Sequence, residues 1–182
     1  MGRVYRTKTY NIPEAGRTAK GTPVVNIIEK SPEEKISEII PVKEFSDNEY
    51  LVMVTKNGVI KKTPASEYES IRKSGKIAIT LKEGDELISI FKTTGNDNIF
   101  LATRNGMAIC FNENDARAVG RTASGVKAID LADGDYVVGA EPVREDSKVL
   151  LVTDGGYGKC TDLTSFRIQH RGGKGLKAYK IT

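Results

Sequence analysis

Short apolar runs recur along this chain, and each is followed by a glycine turn and a second run. Leu51–Thr55 precedes Asn57–Gly58, Ile99–Thr103 precedes Asn105–Gly106, and Val149–Thr153 precedes Gly155–Gly156. Runs this short, β-branched and bounded by turn residues predict buried strands. A second strand follows each turn glycine: Arg3–Thr7 after Gly2, then Val59–Thr63, Met107–Phe111 and Tyr157–Thr161. Strand, Asn-Gly-type turn, strand is the pattern of a β-hairpin.

The hairpins belong to a repeat. Gly58 to Gly106 is 48 residues and Gly106 to Gly156 is 50, while the first unit is lengthened by an expanded stretch over 29–35. A loop after each second strand ends in another glycine: Gly21, Gly125 and Gly175 lie 19 residues after their turn glycines, and Gly75 lies 17 after Gly58. Each loop carries an arginine: Arg17, Arg72, Arg121 or Arg171. A third strand follows, such as Ile77–Leu81 or Val126–Leu131. Then come tight acidic turns, Glu83–Gly84–Asp85 and Asp133–Gly134–Asp135, and a fourth strand, Ile36–Val42, Leu87–Phe91 or Tyr136–Pro142. Four strands in about 40–50 residues mark a β-propeller blade. The expected fold is therefore all-β, a propeller-like array of four-stranded blades forming one domain over 1–182. The units run approximately 1–47, 48–96, 97–146 and 147–182, the last incomplete, so the chain reads as a fragment of a longer array and a partial ring.

Composition changes this picture little. Of 182 residues 38% are apolar and none is Trp, which suits strands with a buried face. No apolar run approaches 18 residues, so no transmembrane helix is expected and no membrane partner. Met1–Tyr10 lacks the apolar core of a signal peptide, and the cytoplasm is the simplest compartment. Cys110 and Cys160 both stand four residues after a turn glycine, so they are equivalent positions in different units. They read as free thiols on strands, neither a disulfide nor a zinc site.

Charge distribution says more than the net charge of +4. Acids gather in 29–38 and in the two acidic turns; bases gather on the second strands and the arginine loops. Repetition would set those loops along one rim, as a curved basic stripe with the acids kept away from it. Such a stripe is the footprint of a protein that wraps a polyanion. The candidate contacts are Arg17, Lys20, Arg72, Lys73, Lys76, Arg121, Lys159 and the stretch Gln169–His170–Arg171–Gly172–Gly173–Lys174–Gly175. In that stretch glycines let the backbone approach a partner closely, and Arg171 and Lys174 supply cationic donors. A solvated turn is the plainer reading of any one such loop; the fourfold recurrence favours an interface.

Catalysis finds no support. The single histidine, His170, has no Ser or Cys partner in a triad arrangement. Asp133–Gly134–Asp135 lacks the remaining positions of a calcium loop, and its parallel with Glu83–Gly84–Asp85 marks it as a hairpin turn. Tyr68 and Phe166 share a position with Ile12 and Ala116, which suits packing and not base stacking.

The unit of strand, Asn-Gly, strand with Lys61–Lys62–Thr63, loop, and Arg121–Thr122–Ala123–Ser124–Gly125 resembles the C-terminal domain of bacterial DNA gyrase A. Arg3–Val4–Tyr5, Ile12–Pro13–Glu14 and Gly156–Tyr157–Gly158–Lys159 fit the same pattern, and the resemblance covers essentially the whole chain. It implies a β-pinwheel, whose blades exchange strands with their neighbours, with duplex DNA wrapped around the rim. It implies gyrase B and the rest of gyrase A as partners, in an A2B2 assembly. ATP and Mg are implied for the holoenzyme and no cofactor for this stretch; the family's catalytic tyrosine and ATP site belong to regions outside this chain. Residues 169–175 match the family's Gln–basic–Arg–Gly–Gly–basic–Gly box except that His170 stands at a basic position. The family's box lies in its first blade and this one in the last unit, so it reads as a box-like copy. The alternatives are the equivalent domain of topoisomerase IV and a propeller serving as a protein-interaction scaffold.

Overall fold

A computed structural model describes residues 2–181. Its strands are β1 (Arg3–Val4), β2 (Tyr50–Thr55), β3 (Val59–Pro64), β4 (Lys76–Ile77), β5 (Leu87–Thr93), β6 (Asn98–Thr103), β7 (Met107–Asn112), β8 (Val126–Lys127), β9 (Val137–Pro142), β10 (Lys148–Val152), β11 (Gly158–Asp162), β12 (Ile168–Gln169) and β13 (Leu176–Lys177). Short 3-10 turns follow several of them, and there is no α-helix among the described residues.

The hairpins form as expected, β2 with β3, β6 with β7 and β10 with β11, all antiparallel. The fourth strand of each of the middle units folds back onto its own leading strand, β5 on β2 and β9 on β6. The third strand does something different. It leaves its own hairpin and pairs with the second strand of the unit before: β4 with β1, β8 with β3 and β13 with β7. The resulting sheet of the second unit has the order β5-β2-β3-β8, its last strand contributed by the third unit. This is the strand exchange that the gyrase resemblance implies.

Three expectations need correction. The third strands are two residues long, not five or six, because they ladder with the neighbouring second strand only there; the next residues bond its turn glycine instead, as the Ala78 and Ala128 amides do to Gly2 O and Gly58 O. The first second-strand is confined to Arg3–Val4 for the same reason. Ile36–Val42 forms no strand. A fourth strand needs its own unit's leading strand to pair with, and none lies beside it among the described residues. Ile39 is accordingly 79% exposed.

Period-2 alternation sends the side chains of the two central strands to both sides. Val52 and Val54 of β2 join Ile99 and Leu101 of β6, with Ile109 and Phe111, in a core between the second and third sheets. Leu51 and Met53 face the other way, toward Tyr68 and Ile79. Phe100 and Ala102 pack on Val149, Leu151 and Phe166, with the Phe100 and Phe166 rings edge to face at 5.0 Å. The core is thus a stack of layers between sheets. The fourth unit's hairpin has one such layer, so Leu150 and Val152, equivalent to the buried Val52 and Val54, are 64% and 63% exposed.

The acidic turns support the hairpins. Asp85 Oδ1 accepts the Asn57 amide at 2.9 Å, and Asp135 Oδ1 accepts the Asn105 amide at 2.9 Å. The two carboxylates thereby hold the Asn-Gly turns in place, and their role is structural.

Candidate nucleic-acid interface

Strand exchange decides where the arginine loops go. After β7 the chain makes a 3-10 turn over Glu113–Asp115, and Ala118 bridges to Lys62 of the hairpin before it. The loop then turns at Gly120–Ala123 and enters β8 on that same hairpin. The fourth unit repeats the path: β12 runs parallel to β7 with Gln169 opposite Phe111, the loop turns at Arg171–Gly172, and β13 returns to β7. The short parallel strand β12 was not legible as a strand, since Gln169 reads as the start of a loop.

The loops of the third and fourth units lean on the chain just after the third strand of the preceding unit. Thr80 donates its amide to Ala123 O at 3.4 Å, and Asp130 donates its amide to Gly173 O at 2.8 Å. The Gly172 amide in turn donates to Ala128 O at 2.6 Å. Gly175, at φ +74, is pressed against the preceding hairpin: a Cβ there would stand 2.4 Å from Ala108 O. The glycines of the basic stretch thus serve the junction between units.

The candidate contact side chains divide by surroundings. Arg17, Lys20, Arg72, Lys73, Lys159, His170 and Lys174 are exposed, while Lys76, Gln169, Arg121 and Arg171 are half-buried. Strand exchange sets Lys76 in β4 beside the Arg121 loop, because Arg121 Nη1 donates to Ile77 O at 3.1 Å. It sets Lys127 beside the Arg171 loop in the same way, with Arg171 Nη1 donating to Lys127 O at 2.9 Å. The loops of the second, third and fourth units therefore follow one another along the array. The Arg17 and Lys20 loop is exposed throughout and stacks on no other unit among the described residues.

The expected separation of acids from this rim is not found. Glu67 lies 3.7 Å from Arg121 Nε, and Asp115 lies 3.3 Å from His170 Nδ1. Both acids sit in the 3-10 turns that precede the loops, and strand exchange carries each loop back onto the turn of the unit before. Lys61 and Lys62, on a second strand that reads as basic, face inward. Lys62 pairs with Glu113 at 2.8 Å beneath the Tyr50 ring. Lys61 is buried and donates to Ala78 O and Arg121 O.

Lys61 gives a pH signature. Burial, reinforced by the nearby Arg121 charge, holds its ammonium down to about 8. Below that pH both folded and unfolded chains carry the proton, and the penalty is constant. Between about 8 and the ordinary lysine range of roughly 10.4, the unfolded chain holds more protons, so stability rises with pH. Lys61→Met is expected to abolish this rise, which amounts to roughly 3 kcal/mol across the window. Burial also raises the Cys110 thiol, which works against stability at high pH but is common to both proteins. Urea unfolding of each between pH 7.5 and 9.5 checks it; parallel curves would refute the assignment.

An array of sheets that exchange strands, the two central ones of four and five strands, with arginine loops over the junctions, defines a β-pinwheel of the gyrase type. The family described as DNA gyrase C-terminal domain, beta-propeller, matches residues 2–43, 49–94, 97–144 and 147–182, and the chain belongs to that family. It is 55% identical over 126 residues to the DNA gyrase A protein of Clostridium acetobutylicum and 50% identical over 126 residues to that of Halalkalibacterium halodurans. Each alignment covers 69% of this chain and 15% of the relative, so the matched region is a small part of the curated relatives' length. Among solved structures, a DNA gyrase A C-terminal domain superposes with a TM-score of 0.84 at 27% identity, covering 100% of this chain and 58% of that one. The C-terminal domain of a DNA topoisomerase IV superposes with a TM-score of 0.89 at 31% identity, covering 97% and 55%. No helix among the described residues is long and apolar enough to cross a membrane.

Proposed function

We propose that this chain binds duplex DNA without sequence preference and bends it along the rim. In this reading it is the wrapping module of a gyrase A protein, organised as one array in the four units given above. The observation that carries the reading is the succession of basic loops in the second, third and fourth units, each placed against the unit before. Its cations reach phosphates and not base edges, since the described residues hold no recognition helix for the major groove. Negative supercoiling then belongs to the whole enzyme, with the rest of gyrase A and gyrase B as partners and ATP and Mg used there. The working compartment is the cytoplasm. Sequence identity of 55% to a gyrase A protein favours that protein over the topoisomerase IV equivalent, whose solved domain shares 31%.

The test is DNA binding as a function of salt. With about six phosphates neutralised, log K is expected to fall against log[salt] with a slope of roughly −5. A slope near zero would refute wrapping and favour a protein-interaction scaffold. Relaxing a plasmid with a type I topoisomerase in the presence of the chain reads the wrap directly, as a shift in linking number.

A further inference from the structure

We propose that Arg171 is a positioning residue that docks the fourth unit on the third, and that Lys174 and His170 are the groups this docking presents to DNA phosphate. The proposal rests on the DNA-binding reading above and assigns parts within the same stretch.

The guanidinium of Arg171 is aimed into protein. Its Nε donates to Asp115 O at 2.8 Å and its Nη1 donates to Lys127 O at 2.9 Å. The Arg171 amide also donates to Asp115 Oδ2 at 3.2 Å. Asp115 and Lys127 both belong to the third unit, one in the 3-10 turn after its hairpin and one in its third strand. Arg171 therefore spans two elements of its neighbour with a rigid fork, and backbone carbonyls are acceptors that do not titrate or move away.

The arrangement recurs one unit earlier. Arg121 Nη1 donates to Ile77 O at 3.1 Å, and Ile77 stands two residues after Gly75 as Lys127 stands two after Gly125. The buried Arg121 Nε faces Glu67 at 3.7 Å, in the place where Arg171 meets the Asp115 turn. Two loops of different sequence thus put the same arginine on the same carbonyl.

Lys174 and His170 flank Arg171 and are exposed. The His170 side chain is 98% exposed, with one contact, to Asp115 Oδ2 at 3.3 Å. Lys174 is exposed and makes no hydrogen bond or ion pair among the described residues. Its charge helps hold the Asp130 carboxyl below the usual range, after the hydrogen bond and charge of Lys127. These two side chains are available to a phosphate, and the Arg171 fork fixes the loop that carries them.

The experiment compares Arg171→Lys, Arg171→Ala, Lys174→Ala and the parent chain, by thermal melting, by amide exchange and by salt-dependent binding to a labelled linear duplex. Arg171→Lys keeps the charge, but one ammonium cannot reach both carbonyls. Both Arg171 variants are expected to lower Tm by about 5 °C and to speed exchange of the Gly172 and Asp130 amides, with the salt slope of the folded protein unchanged. Lys174→Ala is expected to keep Tm and lower the slope by about 1. The proposal is overturned if Arg171→Ala lowers the slope by about 1 at unchanged Tm and Arg171→Lys restores it, because Arg171 would then be a phosphate ligand. If the parent chain itself shows no salt-dependent binding, the DNA reading fails. The melting and exchange data then decide the docking role by themselves.

Discussion

Gly106→Ala is expected to destabilise the protein by about 4 kcal/mol or more and to release the fourth unit from the third. Gly106 is the turn glycine of the β6–β7 hairpin, at φ +76. An added Cβ would stand 2.2 Å from Tyr179 O and 3.1 Å from Tyr179 C, both backbone atoms that no rotamer change can move. Gly106 O also accepts the Ala178 and Tyr179 amides, at 2.9 and 3.0 Å, so the chain cannot retreat without losing both bonds. The same turn in the fourth unit supplies the control. Gly156 has φ +80, but a Cβ there meets nothing within 4 Å. Gly156→Ala carries only the left-handed backbone cost, roughly 1–2 kcal/mol. Urea unfolding of the two variants therefore separates conformational strain from steric exclusion. Equal losses would show that the glycine is needed for turn geometry alone and that the junction is soft.

That contrast explains why the repeat was legible from sequence and the exchange was not legible without the family resemblance. Glycines at fixed spacing, hairpin turns and apolar runs are local signals, and β2–β3, β6–β7 and β10–β11 follow from them within a residue or two. Which hairpin a third strand joins is a long-range choice. Nothing in Val126–Lys127 itself says that it will pair with Val59 and Ile60 and not with its own unit. The same limit governed the candidate interface. Arg121 and Arg171 were visible as recurrent loop cations, but their carbonyl acceptors lie 44 residues away in sequence. The inward course of Lys61 and Lys62 was hidden for another reason. Strand alternation predicts that one of two neighbours faces solvent, whereas a strand packed on both sides buries both. Here Lys62 stands beside Val52 on the face covered by the third unit, and Lys61 beside Met53 on the face covered by Tyr68 and Ile79.

Glu113 was missed altogether, and its removal should have the other large effect. It follows the Asn112 end of β7 in a run of polar residues, which reads as an exposed turn. It is in fact fully buried, where a lone carboxylate would not survive. Its Oε1 accepts the Gly95 and Asp97 amides at 2.9 and 2.7 Å; its Oε2 accepts from Thr93 Oγ1 at 2.8 Å and meets Lys62 Nζ at 2.8 Å. One carboxylate thus ties the β5–β6 connection to the second unit's β3. Glu113→Ala strands the Lys62 ammonium and two amides and is expected to cost about 3–5 kcal/mol. Glu113→Gln keeps one acceptor and should cost less, about 2 kcal/mol. The double variant Lys62→Met with Glu113→Gln removes the unpaired charge while leaving the amides an acceptor. It is expected to be more stable than Glu113→Gln alone, with a coupling energy of at least about 1 kcal/mol in the double-mutant cycle. Strict additivity of the two single effects would mean that Lys62 finds another partner, Asn114 Oδ1 at 3.2 Å being the nearest candidate, and that the carboxylate serves the backbone amides alone.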